Sequence, residues 1–333
     1  MKKLRQIAIS LTIAAMLAVA GFGGTIGAAE NSKKLVLYSA GPAPLAKEIN
    51  KGFEAKTGIT VEMFQGTTGD ILGRIEAEKN NPLVDVVVLA SWPSAEGMKL
   101  AGLTQAYSNP QNADKLHPAW RDKNNHYFGY SASAVGLTYN TLLVKNPPKD
   151  WSDLAKPEWR DKLNMPDPTL SGSCLDFISG YASARKAAAW NYFQQLKKNN
   201  LLITGANNTA LDMVVAGSKS IVLAGVDYMT YDAKAKGEPV EMIYPASGTV
   251  VNPRPAMIIK TSKNVANARL FIDYLLSDEV QKLVVKAYIL PGRMDITSDK
   301  RPNVNQIPVL KYSWSWMARH TDDSLGQFNQ IFK

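Results

Sequence analysis

The chain is predicted to be an α/β protein built on a parallel sheet, and three observations predict it. Over residues 35–89, short apolar runs alternate with stretches of helical spacing in the order β-α-β-α-β; that alternation builds a parallel sheet with helices on its faces. Each apolar run ends in a loop of small polar residues, where open α/β sheets take their ligands. The 333 residues, 45% of them hydrophobic, suffice for two domains of roughly 150 residues each.

The elements follow in order. Leu35-Val36-Leu37-Tyr38 reads as a buried strand ending in the loop Ser39-Ala40-Gly41-Pro42. Leu45, Ile49, Gly52 and Phe53 recur at helical spacing up to Gly58, a helix stop. Thr60 to Phe64 alternates as a strand, Gly66-Thr67-Thr68-Gly69-Asp70 is a polar turn, and Ile71, Ile75 and Glu78 open the next helix. Val84 to Leu89 is a fully buried strand that stops at Ala90-Ser91-Trp92-Pro93. Gly136 to Asn140 is a strand close to a change of lobe, and Asp150 to Leu154 a short capped helix. Asn164 to Pro168 is extended and leads through Ser171-Gly172-Ser173 into a helix; Lys186 to Lys198 is a second one, with Trp190, Phe193 and Leu196 on one face. Ser220 to Ala224 is a strand followed by Val226-Asp227-Tyr228, and Ala256 to Ile259 a strand leading back. Ala266 to Ala287 has helical spacing through Phe271, Leu275, Val280 and Leu283, and the tail is loop-rich with helical stretches.

The first 29 residues read as an address. Lys2, Lys3 and Arg5 precede an apolar run from Ile7 to Val19, and small residues follow to Ala29; this is the layout of a secretory signal peptide, too short to span a bilayer. Removal after Ala28 or Ala29 frees the protein into a periplasm or the medium; the alternative is an anchor that stays. No Cys lies near that point, so a lipid anchor on an N-terminal Cys is not expected. The leader carries three cations and no acid, so its removal lowers the net charge of +9 by three. The surplus that remains suits an anionic ligand or membrane face, and no nucleic-acid partner is expected. The single Cys, Cys174, and three scattered His argue against a disulfide framework and a His- or Cys-based metal cluster. Gly-x-Ser-x-Gly, a Walker lysine and a dinucleotide fingerprint are all missing. No enzyme chemistry and no cofactor is expected.

Several runs in this order and spacing resemble one family: Leu37 to Ala40, Phe53 to Ile59, Gly66 to Gly69, Asp85 to Val87, Asp167-Pro168-Thr169 with Ser171-Gly172-Ser173, and Leu290 to Arg293. Over residues 33–300 the chain resembles the extracellular solute-binding proteins of ABC importers, in the ferric-ion and 2-aminoethylphosphonate subgroup. The resemblance implies a two-lobed periplasmic-binding-protein fold of type II with a crossover-strand hinge, a ligand cleft between the lobes, and delivery to a membrane permease. It divides the chain into leader 1–29, first lobe 30–133, second lobe 134–251, and a return to the first lobe with the tail over 252–333. A monomer is expected.

Within that cleft the candidates follow from chemistry. Gly66-Thr67-Thr68-Gly69 and Ser171-Gly172-Ser173 precede helices, whose free N–H groups and partial positive charge attract anions. Either turn alone is also what ordinary N-capping requires; the pair, with the resemblance, points to a phosphate, phosphonate or carboxylate. Ser39, Ser91 and Trp92 follow strands, with Trp92 either a cleft wall or an edge residue. Ser131 and Ser133 lie just before a crossover strand. Arg254 stands between Pro253 and Pro255, a stiff setting for a bidentate partner of a phosphonate; Arg293 is a candidate of the same kind. Asp227 either reads a ligand ammonium or caps the helix after it, and Tyr228 donates to an anion or covers it. Ferric-binding relatives use an adjacent Tyr pair with His and an acid, suited to a hard cation. Here Tyr228 and Tyr231 are not adjacent, the loop from Ser39 has no His and the Ser91-Trp92 position no acid, so iron ranks second. An exported phosphoester hydrolase is the reading from another class.

Overall fold

A computed structural model describes residues 33–333; the expected leader lies outside the described residues. The runs of Leu and Val become β1 (Lys34–Ser39), β2 (Thr60–Gln65) and β3 (Val86–Val88), with β1 at the centre and parallel to both neighbours. Helix α1 (Ala43–Thr57) buries Leu45, Ile49 and Phe53 and stops at Gly58, whose φ of 70° is left-handed and free of strain for a residue without Cβ. Helix α2 (Thr68–Ala77) joins β2 to β3, and α3 (Trp92–Leu100) follows β3. A short β4 (Thr104–Gln105) precedes the long β5 (Tyr127–Asn140).

The second half contains β6 (Leu163–Pro166), α4 (Gly172–Arg185), α5 (Ala187–Lys198), β7 (Leu202–Thr204), α6 (Asn207–Val215), β8 (Ile221–Val226), α7 (Asp227–Ala235) and β9 (Val240–Ile243). The chain returns through β10 (Val251–Ile259), α8 (Val265–Leu275), α9 (Asp278–Lys286) and β11 (Leu290–Pro291), and closes with α10 (Trp314–Phe332).

Strand order is β2-β1-β3-β10-β5-β8-β6-β7, with β4 on β10 and β9 and β11 on β5. Two strands connect the halves. The first part of β5 pairs with β10, from Tyr127↔Met257 to Ala134↔Val251, and its last part pairs with β8 from Val135↔Val226 onward. Both crossovers are irregular: opposite Gly136/Leu137 the partner β8 carries an extra residue, Ala224, and opposite Arg254/Pro255 of β10 the extra residue is Tyr130 of β5. Bulges sharpen the local twist and re-aim side chains. The first half has apolar cores on both faces of its sheet, around Phe53–Phe271 and around Trp92–Tyr127; the second has its main core around Trp151, Phe177 and Phe193. Helix α10 packs on α3 of the first half and on α4 and α5 of the second. Its backbone is non-helical at His320, and the His320 ring stacks on Trp316.

The structure differs from the sequence reading in the crossovers. The first half of β5 carries Ser131 and Ser133 among small residues, which blur the strand pattern, and Pro253 and Pro255 hide the start of β10. The single helix expected over Ala266 to Ala287 is two, because the Ser277 hydroxyl caps a new start by accepting from Val280 N.

Candidate functional site

Two helix starts from different halves meet. At α2, Thr67 Oγ1 accepts from Asp70 N at 3.1 Å and Asp70 Oδ2 accepts from Thr67 N at 2.9 Å, a closed capping box. Thr68 Oγ1 accepts from Ala90 N at 3.2 Å. At α4, Ser171 Oγ accepts from Cys174 N at 3.1 Å and lies 3.1 Å from Ser173 Oγ. Thr67 and Ser171 therefore serve as caps, while the buried Thr68 and Ser173 stand inside the first turns. Glycine allows the approach. A Cβ on Gly172 would lie 2.7 Å from Thr68 Oγ1, and one on Gly69 would lie 2.4 Å from the Thr169 carbonyl oxygen. Anything larger than hydrogen at either position pushes the two helix starts apart.

Asp176, on the second turn of α4, reaches across to α3. Its Oδ1 accepts from Ser91 Oγ at 2.7 Å and its Oδ2 from Trp92 N at 3.2 Å. Burial pushes its carboxyl well above the usual carboxylate range, against the lowering effect of those two donors. Ser91 thus spends its hydroxyl on this bridge. Trp92 is neither cleft wall nor edge residue: its ring packs edge-to-face on Tyr127, with centroids 4.7 Å apart, inside the core of the first half.

Arg254 is the outlier in the charge pattern. It is 3% exposed, and among the described residues it forms no ion pair and its Nε and Nη1 have no hydrogen-bond partner. A buried charge without a counter-charge is expensive. The guanidinium stands 5.1 Å from the centroid of the Tyr228 ring, so Tyr228 covers the cation. Across the ladder Arg254 is paired with Ser131, whose buried Oγ is also unpartnered, and Ser133 is paired with Asn252. The charge of Arg254 lowers the phenol pKa of Tyr130 and of Tyr228, but burial outweighs it and both stay raised. A Cβ on Gly41 would meet Ser39 Oγ at 3.2 Å and Tyr130 Oη at 3.4 Å, which places the first strand's loop beside this cluster. Asn252, two residues before Arg254, donates through Nδ2 to the Ser173 carbonyl at 3.4 Å. The chain of contacts therefore runs from the facing helix starts through Asn252 to Arg254.

Other candidates are occupied elsewhere. Asp227 is fully buried and bonded to Arg301 in an ion pair; its carboxylate also accepts from Ala134 N at 3.0 Å, Tyr244 Oη at 2.9 Å and Tyr228 N at 2.8 Å. Fully buried and neutralised by Arg301, the carboxylate is not presented to a ligand ammonium, which corrects the expectation for this residue. Arg293 is paired with Asp278 and Asp295. Tyr231 donates to Tyr244 at 3.2 Å under the guanidinium of Arg301 and does not join Tyr228 in one cluster. His117 stacks on Trp120, His126 meets Thr104, and His320 lies in α10. Among the described residues no group of three or more His, Cys, Asp or Glu side chains is placed to hold a metal ion. Cys174 is buried, and burial pushes its thiol pKa up. Tyr130, Asn252, Asp176 and Arg301 were missed by sequence reasoning. Only Asn252 carried a signal, its place beside the Pro-Arg-Pro segment.

Residues 81–319 match the family described as bacterial extracellular solute-binding protein. The chain belongs to that family. A relative of this solute-binding protein in Salmonella typhimurium, provisionally named a 2-aminoethylphosphonate-binding periplasmic protein, is 25% identical over 279 residues, covering 81% of this chain and 80% of the relative. Among solved structures, iron-bound HitA from Pseudomonas aeruginosa superposes with a TM-score of 0.80 at 24% identity, over 90% of this chain and 99% of that one. AfuA from Actinobacillus pleuropneumoniae, with exogenous fructose-6-phosphate bound, gives 0.79 at 25% identity, over 89% and 97%. The solute-binding protein thus has the two-lobed periplasmic-binding-protein fold, with β5 and β10 as its crossover strands.

Proposed function

We propose that this solute-binding protein captures a small solute bearing a phosphonate or phosphate group and delivers it to a membrane permease of an ABC importer, working in the periplasm after loss of its leader. The single observation that carries this reading is Arg254, a buried cation with two unsatisfied nitrogens and no carboxylate beside it. A bidentate oxyanion supplies what it lacks. The first-turn N–H groups of α2 and α4 that the caps leave free, with the hydroxyls of Ser39, Thr68, Ser131 and Ser173 around them, add donors to the same anion, while Thr67, donating to Asp70, and Ser171, donating to Asn207, hold the two turns in place. Ser91 and Asp176 act by holding the halves together, and Tyr228 by shielding the cation.

Iron is the weaker reading. Tyr228 lies against the guanidinium of Arg254 and Tyr231 against that of Arg301, and a cation beside each phenol repels a ferric ion. Against hydrolysis, among the described residues no serine, threonine or cysteine of this cluster is hydrogen-bonded to a histidine, and the hydroxyl–carboxyl pair Ser91–Asp176 is fully buried. Calorimetric titration with inorganic phosphate, methylphosphonate, 2-aminoethylphosphonate and ferric citrate tests the proposal. Saturable binding of a phosphorus oxyanion, recovered unchanged, supports it; a tyrosinate-to-iron absorption band with no oxyanion binding overturns it.

A further inference from the structure

We propose that Gln65 and Asn252 read hydroxyl groups on the solute, so that the preferred ligand is a polyol or sugar-like phosphate or phosphonate rather than a bare or aminated one. This inference rests on the anion reading above and refines it. Both amides have one half fixed. Gln65 Nε2 donates to the Gly41 carbonyl at 2.8 Å, and Asn252 Nδ2 donates to the Ser173 carbonyl at 3.4 Å. A carbonyl accepts only from a donor, so each amide's orientation is set: its nitrogen faces the backbone and its oxygen faces away. Gln65 Oε1 and Asn252 Oδ1 are both buried and have no partner.

Their positions tie them to the anion cluster. Gln65 is the register partner of Ser39 at the end of the first strand pair, and its amide is held at Gly41, beside Ser39 and Tyr130. Asn252 lies on β10 two residues from Arg254, on the same face, because strand side chains alternate. The cleft thus presents unpaired donors at Arg254 and unpaired acceptors at Gln65 and Asn252, with the unpaired Ser131 hydroxyl able to serve as either.

Charge decides which ligand group satisfies the acceptors. A phosphate dianion has only acceptors and leaves both amide oxygens bare. An ammonium has donors too, but it brings a second charge that must be buried, and the nearby carboxylate of Asp227, already bound to Arg301, is not free to balance it. A hydroxyl donates to an amide oxygen, accepts from Ser131 and brings no charge. A site built around such bonds rejects the analogue that lacks the hydroxyl, because its own polar groups are then left unpaired.

The test compares matched pairs: glycerol 3-phosphate against propyl phosphate, and sorbitol 6-phosphate against hexyl phosphate, with 2-aminoethylphosphonate as a third arm. Wild-type protein is expected to bind the hydroxylated member of at least one pair tenfold or more tighter than its alkyl partner, and tighter than the aminophosphonate. In Asn252→Leu and Gln65→Met that preference, read as the ratio of the two affinities within each pair, should shrink several-fold. The wild-type comparison stands even if a variant misfolds. If neither pair shows the preference, or the aminophosphonate binds tightest, the hydroxyl inference is overturned while the anion reading survives. If no phosphorus oxyanion binds at all, the anion reading itself has failed.

Discussion

Replacing Arg254 by Met should move stability and affinity in opposite directions. In the ligand-free protein the guanidinium is buried without a counter-charge, and only the Tyr228 face compensates it. Exchanging a buried ionic group for an apolar one of similar volume gains about 1–4 kcal/mol in comparable cases. Losing the cation–π contact gives back about 0.5–2 kcal/mol. The central values net to a ligand-free protein about 1 kcal/mol more stable, a rise in Tm of roughly 2 °C. Binding should respond the other way. Truncating one partner of a buried, hydrogen-bonded charge pair costs about 2–5 kcal/mol, a factor of about 30 to 5,000 in Kd. Differential scanning calorimetry without ligand and isothermal titration with the best oxyanion measure the two effects. A variant that loses stability while keeping its affinity would refute the reasoning, since Arg254 would then be a structural residue.

Three further outcomes follow from the same contacts. Gly69→Ala places a methyl group against the Thr169 carbonyl and should weaken ligand binding at least tenfold and lower the ligand-free Tm; titration with unaltered affinity would mean the two helix starts need not meet. Asp176 has a carboxyl pKa raised by burial, so the stability it contributes is fully present below the ordinary carboxylate range and is lost as pH rises through its raised value. A Tm profile from pH 4 to 8 should therefore fall more steeply for wild type than for Asp176→Asn, and parallel profiles would remove the carboxyl from the account. Arg301→Met leaves the Asp227 carboxylate buried and unpaired and should destabilise the fold by about 3–5 kcal/mol by chemical denaturation, whereas a loss confined to aminophosphonate binding would return Asp227 to the role of ammonium reader.

Much of the fold was legible because its strands are apolar on both faces and its helices have clear stops. Leu35 to Tyr38 and Val84 to Leu89 stand out as continuous apolar runs, and Gly58 ends its helix by adopting a left-handed conformation. The crossovers were not legible in full. Serines and alanines over residues 131–134 and the two prolines flanking Arg254 obey no strand period, because there the backbone serves the cleft as well as the sheet. The site divides in the same way. Capping turns and Pro-Arg-Pro have local signatures, so Thr68, Ser173 and Arg254 were within reach. Asp227 was misread, since its partner Arg301 is 74 positions away and nothing in the sequence links them. The same holds for Asp176, whose two bonds to Ser91 and Trp92 exist only after the halves are assembled.

The seat of α10 on α3, α4 and α5 constrains how the molecule can breathe. Trp314 approaches Trp92 on one side, while Phe328 meets Phe193 on the other. A swing that separates α3 from α4 must therefore slide along this terminal helix or peel it away, exposing aromatic surface to water. The helix acts as a tie-bar: it opposes wide gaping and favours small excursions, with the break at His320 as the point where its two ends can travel independently.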